Sequence, residues 1–340
     1  METMHYGNEG KTTIYTDAPL ELLTTLLGAR RAVIIIDAGI YGQLKGRLPQ
    51  TLVYTVASGE HSKSMRQAAE IYRFLQNNGV DRDTVLVGIG GGVVTDLTGF
   101  VAATYLRGVS LILVPTTVLA QVDAAIGGKN AVNLHGFKNI IGTIYQPEAI
   151  VCDYNLLTTL PDEEIRGGVA EMIKHCMIAD REQFDYFSEH VDDILALQRE
   201  ALQTIIPWSI RIKTEFIETD VFDRSVRRLL NFGHTWGHAV EAVTGLHHGY
   251  AVAVGMCFAT RLAVHKGLCD SSVLNALETL LERFGLPITT NALPWVVFEA
   301  MKRDKKRSAG DIHFVLPREI GKTEIVDLPL EELKSFIKEA

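Results

Sequence analysis

Four short runs in the first half of the chain are mostly apolar and rich in β-branched residues: 31–37 (RAVIIID), 51–56 (TLVYTV), 84–89 (TVLVGI) and 110–114 (SLILV). Short runs without polar alternation are the pattern of strands covered on both faces, as in a parallel sheet. Residues 64–76, between the second and third runs, repeat their apolar positions with the period of a helix. Alternation of strand and helix predicts an α/β domain over residues 1–155, with a parallel sheet flanked by helices.

The pattern changes beyond residue 160. Pro161 followed by Asp162, Glu163 and Glu164 is a helix start, proline in the first turn and acids at the positive end of the dipole. Helical periods follow near 162–179, 192–217, 234–245, 249–266 and 271–284. Two short runs, 312–316 and 322–325, flank Pro317 to Gly321 and predict a small hairpin. The expected architecture is therefore α/β, a Rossmann-like parallel-sheet domain (1–155) followed by a mostly α-helical domain (156–340). A ligand is expected in the cleft between them.

The 340 residues are 47% hydrophobic and 22% charged, the balance of a folded globular chain. Thirty-three basic against 41 acidic residues give a net charge of −8, which argues against a nucleic-acid partner held by a basic face. No apolar run reaches the ~18 residues of a membrane span, and the first residues lack the basic-then-apolar order of a signal peptide. The expected location is the cytoplasm. The four cysteines, at 152, 176, 257 and 269, have no CxxC spacing and read as reduced core residues.

Three constellations carry candidate chemistry. The first is a strand, a glycine run and a helix start (VLVGIGGGVVTD, 85–96). It lets the backbone approach a ligand and presents helix N–H groups to a phosphate, as for a dinucleotide; Val93 departs from the usual GxGxxG. Glu60, just after a strand, could hold ribose hydroxyls. The second is a loop from Val114 to Asn139 with the glycine pair Gly127-Gly128, Lys129, Lys138, Asn133 and Asn139. With Arg107, Lys213, Arg227, Lys305 and Lys306 it suits an anionic, phosphorylated substrate. The third places His234 and His238 one helical turn apart, His247 and His248 shortly after, and Glu171 and Lys174 on one face of an upstream helix. Glu171 with two of these histidines would make a three-ligand catalytic metal site. Spacing leaves open which two, with His234 and His238 the obvious pair.

These motifs together resemble the 3-dehydroquinate synthase family of sugar-phosphate cyclases. The resemblance is carried by GGGVVTDLTGFVAATYLRG (90–108), VPTT (114–117), QVD (121–123), GGK (127–129), Lys138-Asn139, EMIK (171–174), LNFGHTWGHAVE (230–241), His248-Gly249, DKK (304–306) and FVLP (314–317). It spans about residues 31 to 325. It implies a homodimeric lyase of the shikimate pathway that uses NAD and a divalent metal, zinc or cobalt. The substrate implied is 3-deoxy-D-arabino-heptulosonate 7-phosphate, converted to 3-dehydroquinate and phosphate through transient oxidation, elimination, reduction, ring opening and aldol closure. It implies Glu171, His234 and His248 as metal ligands and moves His238 to a substrate contact. It assigns Lys129 and Asn139 to the substrate phosphate, with Arg107 reaching the neighbouring subunit's site. Lys213, Arg227 and Lys306 fall to the carboxylate end, and Asp123, Lys174 and Asn231 to hydroxyl and ring contacts. It gives NAD contacts to Asp37, Glu60, Lys63, Gly91, Gly92, Val93, Asp96, Thr116, Thr117, Lys129, Lys138 and Thr159.

Some positions depart from the family pattern: Gly39, where an asparagine or threonine often holds adenosine; Thr95; Tyr250; and Ser225, which could re-aim Arg227 if that position needs a positive φ. Three other readings stand beside this one. A cyclase acting on a sugar phosphate without a carboxylate leaves Lys213, Arg227 and Lys306 unexplained. A polyol dehydrogenase leaves the phosphate-binding set unexplained, and a nucleotide-sensing scaffold leaves the Glu171/His234/His248 set without purpose.

Overall fold

The computed structural model describes residues 2–6, 10–305 and 311–339. It divides into two compact units, one formed by 1–160 with Lys213–Phe222 and the other by Pro161–Ile212 with 223–340. The stretch Lys213–Phe222 thus belongs with the first unit, an excursion that a single division at residue 155 does not contain.

The first unit is built on a seven-stranded sheet. Its strands are β1 (Glu2–Tyr6), β2 (Gly10–Thr16), β3 (Ala32–Asp37), β4 (Leu52–Val56), β5 (Val85–Gly90), β6 (Leu111–Pro115) and, after a hairpin of β7 (Lys129–Leu134) and β8 (Phe137–Ile144), β9 (Ala149–Cys152). The spatial order is β1-β2-β9-β6-β5-β3-β4. All neighbours are parallel except β1 and β2. The four strands expected from their apolar runs are β3, β4, β5 and β6. Ile34, Ile36, Val87, Ile89, Ile112 and Val114 fill one core face with Leu20, Leu23 and Leu44. The alternate residues Val33, Ile35, Leu86 and Leu113 are equally buried, so both faces are covered and no polar alternation survives in the sequence.

The chain runs from β3 outward to β4 and then returns to place β5 on the other side of β3. This reversal is a topological switch point, where open α/β sheets bind ligands beyond the carboxyl ends of their strands. Asp37, closing β3, and the glycines closing β5 meet there, since Ile36 pairs with Ile89.

The second unit is helical, as expected, with the helices Asp162–Ala179, Arg181–Glu189, His234–Thr244, His248–His265, Ser271–Arg283 and Pro294–Lys305. The single helix anticipated over 192–217 is instead two, Val191–Leu195 and Arg199–Thr219. Leu197, between them, takes a left-handed φ of 51°. The C-terminal hairpin is present and longer than read, β10 (Asp311–Glu319) and β11 (Lys322–Pro329). No helix among the described residues is long and apolar enough to cross a membrane.

Small residues set how closely the helices His234–Thr244 and His248–His265 pack. A Cβ at Gly237 would stand 2.8 Å from the Ala251 carbonyl oxygen and 3.1 Å from its carbon. Both are backbone atoms, so a methyl group can fit only by separating the helices. We expect Gly237→Ala to destabilise this unit by about 1–3 kcal/mol, the usual cost of overpacking. A lowered midpoint in urea unfolding followed by tryptophan fluorescence would register it, since Trp236 lies in the same turn; an unchanged midpoint would show that the helices separate freely.

Candidate active site

In the first unit, β5 ends at Gly90 and Gly91 caps the helix Gly92–Thr104 without any side-chain acceptor for its first N–H groups. Gly92 and Val93 form the first turn, whose N–H groups and positive dipole end are of the kind that favours an anion. Thr116 and Thr117 follow β6 alongside: the Thr116 N–H donates to the Gly90 carbonyl at 2.9 Å, and a Cβ at Gly91 would lie 3.1 Å from Thr117 Cγ2. Thr116 and Thr159 line one cavity of about 170 Å³ with Ile40 and Leu44. Asp37 accepts from the Gly39 N–H at 2.8 Å and from the Ser58 hydroxyl. A Cβ at Gly39 would lie 2.9 Å from Ser58 Oγ, so glycine is the residue that leaves room for this contact.

Lys63 is buried and pairs with Asp96 at 2.5 Å. Burial pushes the Asp96 carboxyl above its ordinary pKa against the pull of Lys63. The Lys63 ammonium also donates to Asn139 Oδ1 at 2.6 Å, joining a residue assigned to the nucleotide with one assigned to the substrate phosphate. Lys129 opens β7, and Lys138 is exposed near the start of β8. The loop from 129 to 144 is thus a β-hairpin, turning through His135 and Gly136 with φ of 50° and 80°. Arg107 is exposed at the end of a short 3₁₀ turn, with φ 67°. Lys213 is buried and donates to both the main-chain carbonyl and the carboxylate of Asp123.

The second unit gathers Glu171, Lys174, His234, His238 and His248. Glu171 is fully buried in the helix Asp162–Ala179, and Lys174, one turn on and equally buried, ion-pairs with its Oε2. The other oxygen, Oε1, is buried with no hydrogen-bond partner. His234 Nε2 lies 3.6 Å from it and His248 Nε2 3.5 Å. These separations are long for hydrogen bonds. They match the spacing of about 3.4 Å between two ligands of one tetrahedral cation bound at about 2.1 Å.

The outer ring nitrogens are held in the manner of metal-ligating histidines. His234 Nδ1 donates to the Phe232 carbonyl at 3.1 Å, and His248 Nδ1 to Glu241 Oε2 at 3.1 Å. Both bonds turn Nε2 toward Glu171, the nitrogen that would give its lone pair to a cation placed between them. The first needs the chain to turn back at Gly233, whose φ is 78°; a Cβ there would meet Met256 Cγ at 2.7 Å and the Val252 carbonyl at 2.8 Å.

The electrostatics follow from this packing. Burial opposes the charge on Glu171, yet Lys174, His234 and His248 together hold its carboxyl well below the usual range. Burial drives His234 well below the ordinary imidazole value. For His248 burial acts in the same direction, but the nearby Glu171 carboxylate and the bond to Glu241 overcome it and raise the pKa to about 9.

His238 is exposed, its ring 5.0 Å from that of His234 and 5.6 Å from that of His248. Nitrogens of the three histidines lie within 4.8 Å of one another, so two triads compete for a cation. With Asn231, His234 and His238, the edge of β10 lines a cavity of about 250 Å³. Arg227 is buried in the 3₁₀ segment Val226–Asn231. Ser225 precedes it at φ −142°, so the suspected need for a positive φ does not arise there; the left-handed residue is Asp223, at 57°. Lys306 lies outside the described residues.

A family model described as 3-dehydroquinate synthase N-terminal matches residues 53–167, and one described as 3-dehydroquinate synthase C-terminal matches 168–307. In fold, the chain resembles metal- and nucleotide-bound sugar-phosphate cyclases. One is the 2-epi-5-epi-valiolone synthase ValA from Streptomyces hygroscopicus, solved with NAD+ and Zn2+ (TM-score 0.88, 27% identity, 98% of this chain and 99% of that one). Another is a 2-deoxy-scyllo-inosose synthase complexed with carbaglucose-6-phosphate, NAD+ and Co2+ (TM-score 0.88, 24% identity, 100% and 99%), which speaks to the fold alone. The chain is 39% identical to the 3-dehydroquinate synthase of Caldanaerobacter subterraneus over 330 residues (94% of this chain, 93% of the relative). It is 44% identical to that of Dictyoglomus thermophilum over 310 residues (90% and 87%). The chain belongs to the 3-dehydroquinate synthase family.

Sequence reasoning did not single out His175, which is fully buried one residue beyond Lys174 and bonds through Nδ1 to the Ser209 hydroxyl at 2.6 Å. Burial, with Lys174 beside it, lowers its pKa to about 3. The unfolded chain takes up this proton near pH 6.5, the native one only near pH 3. The neutral imidazole therefore contributes stability in full above about pH 6.5, and the contribution is lost as the pH falls toward 3. His175→Asn should lower stability at pH 7 but flatten the decline between pH 6.5 and 4.5, read from urea midpoints at each pH. Parallel declines in wild type and variant would contradict the assignment.

Proposed function

We propose that this chain converts 3-deoxy-D-arabino-heptulosonate 7-phosphate to 3-dehydroquinate and phosphate, as a carbon–oxygen lyase that uses NAD and a divalent cation, zinc or cobalt. The observation that carries the proposal is the orphaned, buried Glu171 Oε1 facing two histidine Nε2 atoms, in a chain 39% and 44% identical to enzymes named for this activity. Glu171, His234 and His248 would hold the cation. When bound, the cation would lower the pKa of a substrate hydroxyl and NAD would accept and return a hydride from its carbon.

The remaining work falls to side chains of this chain. Lys174, fixed by Glu171, would stand beside the metal position as a hydrogen-bond donor to a substrate hydroxyl or as a proton holder. His238, exposed on the same helix face, is available to contact substrate from the solvent side, with Asn231 nearby. Lys129 and Asn139 would take the phosphate, and Arg107 would reach the site of a second copy in a homodimer. Asp123 and Lys213, bonded together, would orient a hydroxyl and the carboxylate end, with Arg227 and Lys306 supplying further positive charge. On the nucleotide side, Asp37 and Glu60 would meet ribose hydroxyls. Gly91, Gly92 and Val93 would meet the pyrophosphate, with Lys63, Asp96, Thr116, Thr117, Lys129, Lys138 and Thr159 around them. Holding the reacting carbons in place and keeping water out accounts for much of the expected rate. The enzyme is expected in the cytoplasm.

The test is phosphate release from the heptulosonate phosphate by purified protein with catalytic NAD and zinc, while absorbance at 340 nm is followed. Expected are stoichiometric phosphate and dehydroquinate, no net NADH, and loss of turnover with a chelator. NADH accumulating from a polyol, or no phosphate despite bound metal and NAD, would sink the proposal. A second expectation concerns the partner of His248. Glu241→Gln should weaken metal affinity by about 10–100-fold, the range for losing a carboxylate behind a ligating imidazole, measured by competition with a chromophoric chelator. Unaltered affinity would mean that the Glu241 bond does not orient the ring toward a metal.

A further inference from the structure

Asn133 stands at a break in the β7–β8 ladder. Val132 pairs with Ile141 and Leu134 with Phe137, so the register shifts across Asn133. Freed from the hairpin, its backbone N–H donates to the Lys63 carbonyl at 2.8 Å, and it bridges to Ser64. Irregularities of this kind re-aim a side chain. Here the amide is aimed two ways: Nδ2 donates to Glu60 Oε1 at 2.7 Å, and Oδ1 accepts from the Asn139 N–H at 2.9 Å.

Asn139 needs such a hold. Its φ is 54°, a left-handed conformation that asparagine tolerates better than most residues but still at some cost. Its side chain is fixed as well, because Lys63 occupies Oδ1. That contact leaves the Nδ2 amino group as the end of Asn139 able to donate to an anion. Backbone and side chain of Asn139 are thus clamped by two residues, and each touches the stretch Glu60–Lys63.

We propose that Asn133 is a positioning residue that links nucleotide binding at Glu60 and Lys63 to the conformation of Asn139, and through it to the grip on the substrate phosphate. The proposal rests on the functional reading above, in which Glu60 and Lys63 face NAD and Asn139 faces phosphate. A ligand that fixes Glu60 fixes the Asn133 amide, and the amide fixes Asn139. The return path is the same, since coupling between two binding sites is reciprocal.

Two variants separate the two arms. Asn133→Ala removes both bonds. Asn133→Asp keeps an acceptor for the Asn139 N–H but sets a like charge against Glu60. Three readouts are used: calorimetric titration with NAD alone, amide hydrogen exchange over residues 137–141 with and without saturating NAD, and steady-state kinetics at saturating NAD. In the wild type, NAD should slow exchange over 137–141. Asn133→Ala should lose that slowing with NAD still bound, and raise KM for the sugar phosphate about tenfold, the loss of one well-made hydrogen bond, with kcat changed far less. Asn133→Asp should weaken NAD about tenfold while leaving KM near the wild-type value.

A purely structural role would lower thermal stability in both variants without dividing the NAD constant from KM, and that result overturns the proposal. So does a wild type that binds NAD with no change in exchange at the hairpin. A wild type that binds no NAD at all overturns the functional reading, and the proposal with it; the titration tells the two failures apart.

Discussion

The second unit is organised around one buried charge. Glu171 is fully buried at the centre of a helix, where an unpaired carboxylate would be severely disfavoured. Lys174 compensates one oxygen from the same helix, so half of the requirement is met locally. The other oxygen can be met only from outside, and that demand dictates the placement of two more helices. His234 begins one and His248 begins the next, each with its imidazole turned inward by a bond at Nδ1. Helix starts are the positions where a side chain can project along the axis toward a neighbour. The glycines at 233 and 237 allow the backbones to come near enough for that projection to matter. Core packing and site geometry are here a single constraint.

The first unit handles charge differently. Its central strands β3, β5 and β6 are apolar on both faces, and the charged groups Asp37, Glu60 and Lys63 lie at or beyond the ends of strands. An anion there is met first by backbone: the capless N-terminus of Gly92–Thr104, beside the crossover point of the sheet. Side-chain charges are then held in a chain of short contacts, Glu60 to Asn133, Asn133 to Asn139, Asn139 to Lys63 and Lys63 to Asp96. Each member satisfies another, so the burial of Lys63 leaves no uncompensated ammonium.

What could be read in the sequence follows from what each signal depends on. The strands β3, β5 and β6 were legible because burial on both faces strips them of polar residues, and the edge strand β4 because its run is rich in β-branched and aromatic residues. The helix at 162 was legible because Pro161 and three acids mark its start. The hairpin β7–β8 was not, because it is largely exposed over 137–144 and carries little apolar pattern; only His135-Gly136, a two-residue turn with both φ positive, signals it. The strands β1, β2 and β9 were missed as well, the first a short edge strand and the last a buried run of only four residues. Glu171 could be named from the sequence, as a carboxylate sharing a helix face with Lys174 upstream of a histidine cluster, whereas the preference for His248 over His238 entered only through family resemblance. Periodicity ranks residues by face along one helix, and the relevant fact is that two different helices start at the same place. The roles of Asn133, named only as one amide of its loop, and of His175, not named at all, were not legible for a related reason: they depend on partners far along the chain, Glu60 for one and Ser209 for the other.

The choice between the two candidate triads turns on the same buried oxygen. Three histidines lie close enough to share a cation without Glu171. That arrangement would leave Glu171 Oε1 buried and without a hydrogen bond, helped only by Lys174 on the other oxygen and by the field of two imidazoles 3.5 and 3.6 Å away. A cation between Glu171, His234 and His248 removes this deficit and uses the nitrogens that the Phe232 carbonyl and Glu241 leave bare. It also leaves exposed His238 outside the ligand set, on the solvent side, where a group that exchanges protons with substrate is of use. A triad of neutral imidazoles would leave the full charge of a divalent ion in place, and exchanging one for a carboxylate reduces it; either three-ligand set leaves a coordination position for a substrate hydroxyl. The physical cost of burying Glu171 is thus the strongest argument within this unit for which residues serve the metal.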